Sequence, residues 1–182
     1  MSANPCRVAA SLAAACLVAS LAGCGGGRAY TVPAEACGVP IDAKRIEPFL
    51  FDGRKLEVAG GSVIDTGEKS WGRCWIRVDG RQVVGLQVEK VDRLHDPMDE
   101  SEEFRFRNRT KMADLPFPGL GALGDAVSMV STACAAPNAD HLITYVHVDG
   151  ESGGDVAERR KDLRALTLDI VPKVKKAMGC TK

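Results

Sequence analysis

Residues 74–91, Cys-Trp-Ile-Arg-Val-Asp-Gly-Arg-Gln-Val-Val-Gly-Leu-Gln-Val-Glu-Lys-Val, decide the fold. Over Cys74–Asp79 the residues Cys74, Ile76 and Val78 fall on one side of an extended chain, and Trp75, Arg77 and Asp79 on the other. That is the period-two alternation of a half-buried strand. Asp79-Gly80 is a tight-turn dipeptide, and Val83–Val91 alternates again with Val84, Leu86 and Val88 inward. The stretch predicts an antiparallel hairpin.

Working outward, Lys55–Val58 and Ser62–Asp65 read as short strands flanking Gly60-Gly61. Residues 92–101 form a polar loop, and Phe104–Lys111 is expected to return as a strand. Pro116-Phe-Pro-Gly-Leu-Gly marks an irregular crossing. Val127–Cys134 and His141–Val148 read as two more strands joined by a turn at Pro137–Asp140. Asp42–Leu50 predicts a short helix with Asp42 as N-cap and Ile46, Phe49 and Leu50 on its apolar face, limited by Pro48. Beyond Asp155, a second N-cap, Val156, Leu163, Leu166, Ile170, Val174 and Met178 recur at helical spacing. Arg159, Arg160, Lys161 and Arg164 are assigned mostly to the opposite, solvated side. Pro172 is expected to kink this helix near Leu168, and Gly179 to end it. The predicted class is α+β. An antiparallel sheet of about five or six strands carries a short N-terminal and a long C-terminal helix packed on one face.

The beginning of the chain has a different character. Residues 1–23 hold one charged side chain, Arg7, and Val8–Ala22 is apolar apart from Ser11 and Ser20. A run of about 15 residues suits a signal peptide and is short for a membrane span. It ends in Leu21-Ala22-Gly23-Cys24, which resembles the lipobox of bacterial lipoprotein precursors. The resemblance implies cleavage before Cys24 and lipidation of its thiol by diacylglyceryl and palmitate-type chains. Residues 1–23 are thus expected as a signal peptide, 24–36 as lipidated cysteine and flexible tether, and 37–182 as one extracytoplasmic domain. A flexible stretch of this length spans roughly 20 Å.

The chain carries 24 basic and 24 acidic residues. Such a balance offers no general attraction to nucleic acid or to anionic lipid. Of seven cysteines, Cys6 and Cys16 lie in the signal peptide and Cys24 in the lipobox. Cys37, Cys74, Cys134 and Cys180 remain, an even set that reads as disulfides in an exported domain. Three pairings are open. Cys37–Cys74 with Cys134–Cys180 is favoured, because each bond ties a terminal segment to a strand. The spacings lack the short C-x-x-C pairs of a zinc site.

Five marks fall in a familiar order: the lipobox at Cys24, Cys37 at the start of the domain, Cys74-Trp75 on a strand, Gly119-Leu-Gly followed by Gly124-Asp125-Ala126, and a long helix ending Gly179-Cys180. Together they resemble small uncharacterised lipoproteins of high-GC Gram-positive bacteria, of the streptomycete and mycobacterial type. The resemblance spans nearly the whole chain after Cys24. It implies an extracytoplasmic domain and carries over no catalytic set.

Motifs for chemistry are sparse. Gly119–Gly124 spells G-x-G-x-x-G, but prolines precede it and a strand follows, so it reads as a glycine-rich turn. His141 and His147 share a strand face about 20 Å apart, too far to hold one metal, while His147 and Asp149 are about 6.6 Å apart along that face. His95-Asp96 with Asp99, Glu100, Glu102 and Glu103 is an acidic loop without calcium-loop spacing. No G-x-S-x-G elbow is present, and Ser128, Ser131 and Thr132 lie on a predicted strand. Arg105, Arg107, Arg109 and Lys111 would share one face of a 104–111 strand, either as a strip for anionic ligands or as charges guarding a sheet edge. Trp71 and Trp75 flank Cys74, as core packing or as a stacking platform.

The expectation is a non-enzymatic, lipid-anchored accessory or binding domain on the outer face of the cell membrane, with no cofactor and no metal. Its partner would be an envelope protein or an anionic cell-wall polymer. The alternative is an envelope hydrolase whose active site is not recognisable.

Overall fold

The computed structural model describes residues 27–136 and 138–181. The expected signal peptide, the expected lipidation site Cys24, and Pro137 lie outside the described residues.

The chain opens with a small hairpin, β1 (Glu35–Ala36) and β2 (Val39–Pro40). Its turn residues Cys37 and Gly38 both take positive φ, 62° and 85°, as a two-residue hairpin turn demands. Helix α1 (Ala43–Ile46) starts at Asp42, whose side chain accepts from the Lys44 N–H, and a 3-10 turn over Glu47–Phe49 follows. Strands β3 (Leu56–Gly60), β4 (Trp71–Val78) and β5 (Arg81–Val91) come next. After them come β6 (Thr110–Lys111), β7 (Leu120–Leu123), β8 (Val127–Ala136) and β9 (Ala139–Val148). Helix α2 (Val156–Ala177) closes the chain and is continuous through Pro172.

The predicted hairpin is β4–β5, in register Cys74↔Leu86, Trp75↔Gly85 and Ile76↔Val84. Its turn residues Asp79 and Gly80 have φ of 46° and 85°. The Asp79 carboxylate accepts from the Arg54 and Lys55 N–H groups, pinning the chain that enters β3. Gly85 is required where it stands: a Cβ there would lie 2.0 Å from the Trp75 ring.

All seven main strands are antiparallel, in the order β3-β4-β5-β9-β8-β7-β6. Two meanders, β3–β5 and β6–β9, join where their last strands pair, with Leu86 opposite Val146. The class is α+β, with more strands than the sequence predicts. One added strand is Leu120–Leu123, inside the glycine run expected to be a turn. Its glycines mark close backbone approach, since a Cβ at Gly119 would meet the Ser131 carbonyl oxygen at 2.7 Å.

One face of the sheet packs against α2 and α1. Cys74, Ile76, Val84, Leu86, Val130, Leu142 and Val146 meet Ile46, Phe49, Leu163, Leu166, Ile170 and Val174 in one core. Within it the Ser128 and Thr167 hydroxyls bond at 2.6 Å, satisfying two buried polar groups. Disulfides hold both ends of the chain to the sheet: Cys37 to Cys74 on β4, and Cys134 on β8 to Cys180. Past α2, the Cys180 N–H donates to the Lys175 carbonyl and the Gly179 N–H to that of Lys176. With Gly179 at φ 71°, this is a Schellman stop that delivers Cys180 to the sheet.

Four expectations are corrected. Ser62–Asp65 is a turn, not a strand, because the Ser62 hydroxyl accepts from the Ile64 and Asp65 N–H groups. Phe104–Lys111 is not a strand: Glu100–Arg105 is a 3-10 turn capped by Asp99, and only Thr110–Lys111 pairs. Arg159 is buried rather than solvated, and Val156 is 45% exposed rather than buried. The stretch 28–36, read as free tether, lies against the domain. Arg28 donates to the Glu47 and Leu50 carbonyls, the Ala29 N–H to Gly53, and the Tyr30 hydroxyl to Phe51.

Candidate binding face

The face of the sheet turned away from α2 is covered over only part of its width. The excursion 92–109 crosses β8 and β9, where Phe106 and Val91 pack on a small cluster of Met129, Ile143 and Tyr145. Among the described residues no helix lies over β4 and β5 on this face, and the alternation of β4 places Trp71, Arg73 and Trp75 there.

These side chains form a row. Trp71 is 46% exposed. The Arg73 guanidinium stands 5.7 Å from the centroids of both Trp71 and Trp75. Its Nε donates to Gln87 Oε1 at 2.8 Å, and Gln87 in turn donates to Glu89. Trp75 lies over Gly85, and the His147 ring is 6.1 Å beyond it at a tilt. Tyr145 stacks on His147 at 6.3 Å, and the Arg105 guanidinium sits over Tyr145 at 5.2 Å. The result is a strip of rings with Arg73 between two of them and Arg105 at its end, each cation over a π-face that attracts it.

Burial sets the titration of the strip. It pushes His147 down to about 4, with Arg73 and Arg105 adding smaller contributions in the same direction. Burial also raises the Tyr145 phenol. Both groups are therefore neutral near pH 7. The expected neighbour of His147 is engaged elsewhere, for the Asp149 carboxylate accepts from Arg81 Nε, and that bond holds it below the usual carboxylate range. Among the described residues no carboxylate is hydrogen-bonded to His147 to orient it as a base.

The cations expected on one strand face are dispersed, because that strand does not form. Arg105 pairs with Glu102 and covers Tyr145. Arg109 donates to the Pro97 and Asp99 carbonyls and so braces the loop. Arg107 extends into solvent, 4.0 Å from Asp125, and Lys111 sits exposed on the edge strand β6. Of the predicted strip, only Arg105 and Arg107 line one common cleft.

The remaining candidates are structural. Ser128 bonds Thr167, and Ser131 accepts from the His95 N–H. His141 has a buried Nδ1 without a partner, six residues along β9 from His147. Among the described residues no group of three His, Cys, Asp or Glu side chains is placed to hold a metal ion. Among them, too, no helix is long and apolar enough to cross a membrane.

One cluster was missed. Asp125 accepts from Asn108 and Arg160, while Arg159 donates through Nε to the Asp125 carbonyl. The signal was present, since Arg159 lies four residues before Leu163 and therefore on the buried stripe of α2. Counting it among the solvated bases hid it.

No family model, curated protein or solved structure matches the chain. What its own geometry defines is a disulfide-braced antiparallel α+β domain with one helix-covered face and one partly open aromatic–arginine face.

Proposed function

We propose that this protein is a lipid-anchored binding domain on the outer face of the cell membrane, working without catalysis. The observation that carries the reading is the docking of Arg28, Ala29 and Tyr30 onto residues 47–53. With Arg28 held, only Gly25-Gly26-Gly27 separates it from the lipobox cysteine. The four steps from Cys24 to Arg28 span at most about 14 Å. A lipid on Cys24 would therefore hold the folded body directly against the head groups rather than at the end of a stalk.

Two further features support it. All four cysteines of the domain are consumed in disulfides, the chemistry of an oxidising compartment, which leaves the lipobox cysteine as the one set apart for lipid. The open face offers stacking and charge-assisted contacts, and among the described residues no carboxylate is hydrogen-bonded to His147, as base catalysis would need. An anionic cell-wall polymer or an envelope protein fits that face.

The test is photo-crosslinking in intact cells. A crosslinker replaces Trp71 on the open face or Lys161 on the outside of α2, in the wild-type background and with Cys24→Ser. The reading expects Cys24→Ser to leave the membrane fraction, and adducts to form from position 71 in the anchored form alone. Equal adducts from both positions, or membrane retention of Cys24→Ser, would contradict it.

A further inference from the structure

Beside the open face, and distinct from its row of rings, lies a cleft of about 470 Å³. Its walls are the 105–108 segment, the approach to β8 at Asp125–Val127, Gly150, and the first turns of α2 at Val156 and Arg159.

Its charges do not balance locally. Arg159 is only 6% exposed, yet among the described residues it makes no ion pair. Its donors reach only carbonyl oxygens, Asp125 at 2.8 Å and Ser152 at 3.4 Å. A buried guanidinium is costly without a counter-charge. This one also sits near the positive end of a 22-residue helix, where a cation is disfavoured.

Three nearby carboxylates are bonded to other side chains, and of these Asp149 also feels the Arg159 charge. The Asp125 carboxylate is engaged by Asn108 and by Arg160 at 3.1 Å. Asp149 is engaged by Arg81, and Glu102 by Arg105. Arg107, with an 89% exposed side chain, stands at the rim, its Nε 4.0 Å from Asp125 and, among the described residues, without a hydrogen-bond partner. Arg159 below and Arg107 above thus present two guanidinium groups with unspent charge, and Val127 and Val156 line the same cleft.

We propose that this cleft binds a phosphate group. Its oxygens would accept from Arg159 at the base and Arg107 at the mouth, with Arg105 alongside. Two guanidinium groups lining one cleft suit a multiply charged oxyanion better than a lone ammonium would, and Arg159 would offer the Nη2 that its two carbonyl bonds leave over. The phosphate belongs either to a lipid head group or to a soluble phosphate ester. The site stands whether or not Cys24 carries lipid.

The test titrates inorganic phosphate into the full-length protein, purified from whichever cell fraction holds it, at constant ionic strength with chloride as the control anion. The expected result is saturable one-to-one binding, weakened about tenfold by Arg107→Gln, the loss of one charge-assisted contact. Arg159→Gln should abolish binding, with near-ultraviolet dichroism checking its fold. Arg107 is exposed enough that its variant tests the site even if Arg159→Gln misfolds. Arg54→Gln, an exposed arginine just before β3 that does not line the cleft, should bind as wild type. Vesicles of phosphatidylglycerol then assign the source. Binding to them that inorganic phosphate displaces marks a head-group site, and binding of inorganic phosphate alone marks a soluble ester. Absence of saturable phosphate binding, or equal affinity in Arg107→Gln and wild type, overturns the proposal.

Discussion

The two faces of this sheet are built from the same strands by opposite rules. On the helix-covered face, β-branched and aliphatic side chains from β4, β5, β8 and β9 interlock with α2, and the polar atoms that enter are mutually bonded. On the other face, tryptophan, arginine, histidine and tyrosine alternate, and contact is made by stacking and cation–π attraction. The first face holds the fold by burying apolar area and closing disulfides. The second keeps charge and π-surface together, grading from Trp71, almost half exposed and open to a ligand, to Tyr145, buried under Arg105. Stability and recognition are thus divided across one sheet only about 10 Å thick with its packed layer.

The largest effect should come from releasing the helix on the covered face. Replacing Cys134 and Cys180 together by serine opens a link of sequence separation 46, and the chain-entropy model puts the loss at up to about 4 kcal/mol in urea unfolding. A loss under about 1 kcal/mol would mean that packing alone seats α2.

A second test exploits His147 on the open face. The unfolded imidazole takes up a proton near its ordinary 6.5, whereas the folded one resists until about 4. The folded protein therefore loses stability as pH falls through that window, by up to about 3 kcal/mol at its lower end. His147→Gln should flatten this limb of the stability–pH curve and leave the value at pH 8 little changed.

Gly85 sharpens the contrast further. Gly85→Ala drives a Cβ into the Trp75 ring and should cost about 2 kcal/mol, as overpacking does. In the double variant with Trp75→Ala the penalty should largely vanish, a coupling that thermal melts can measure. The smallest effect is expected from Trp71→Ala, within about 0.5 kcal/mol of wild type, because the ring is almost half exposed. A large loss there would make the open face structural.

Much of the covered face was legible in the sequence, for physical reasons. Alternation in Cys74–Val78 and Val84–Val88, the Asp79-Gly80 turn and the three-four spacing of Leu163, Leu166 and Ile170 are local signals, and burial enforces them. The disulfide pairing was favoured among three open ones, because it ties each terminal segment to a strand, and it is the pairing that forms. The open face was harder to foresee. Arg105–Lys111 alternates like a strand, yet Asp99 caps a 3-10 turn there and Arg109 is consumed by loop carbonyls. Long-range hydrogen bonding decides that segment, and no period in the sequence announces it. Arg159 failed for the converse reason: its position on the stripe was visible, but its charge argued for solvent. The docking of Arg28 on the Glu47 and Leu50 carbonyls spans contacts of about twenty residues and has no local mark.

The most direct measurement is the intact mass of the mature protein taken from membranes, with sequencing of its N-terminus. Lipid anchoring predicts a chain that begins at Cys24 and carries the added mass of a diacylglyceryl group, in the membrane fraction. A chain that begins elsewhere, or one with an unmodified Cys24 thiol, would contradict it and detach the open face from the bilayer.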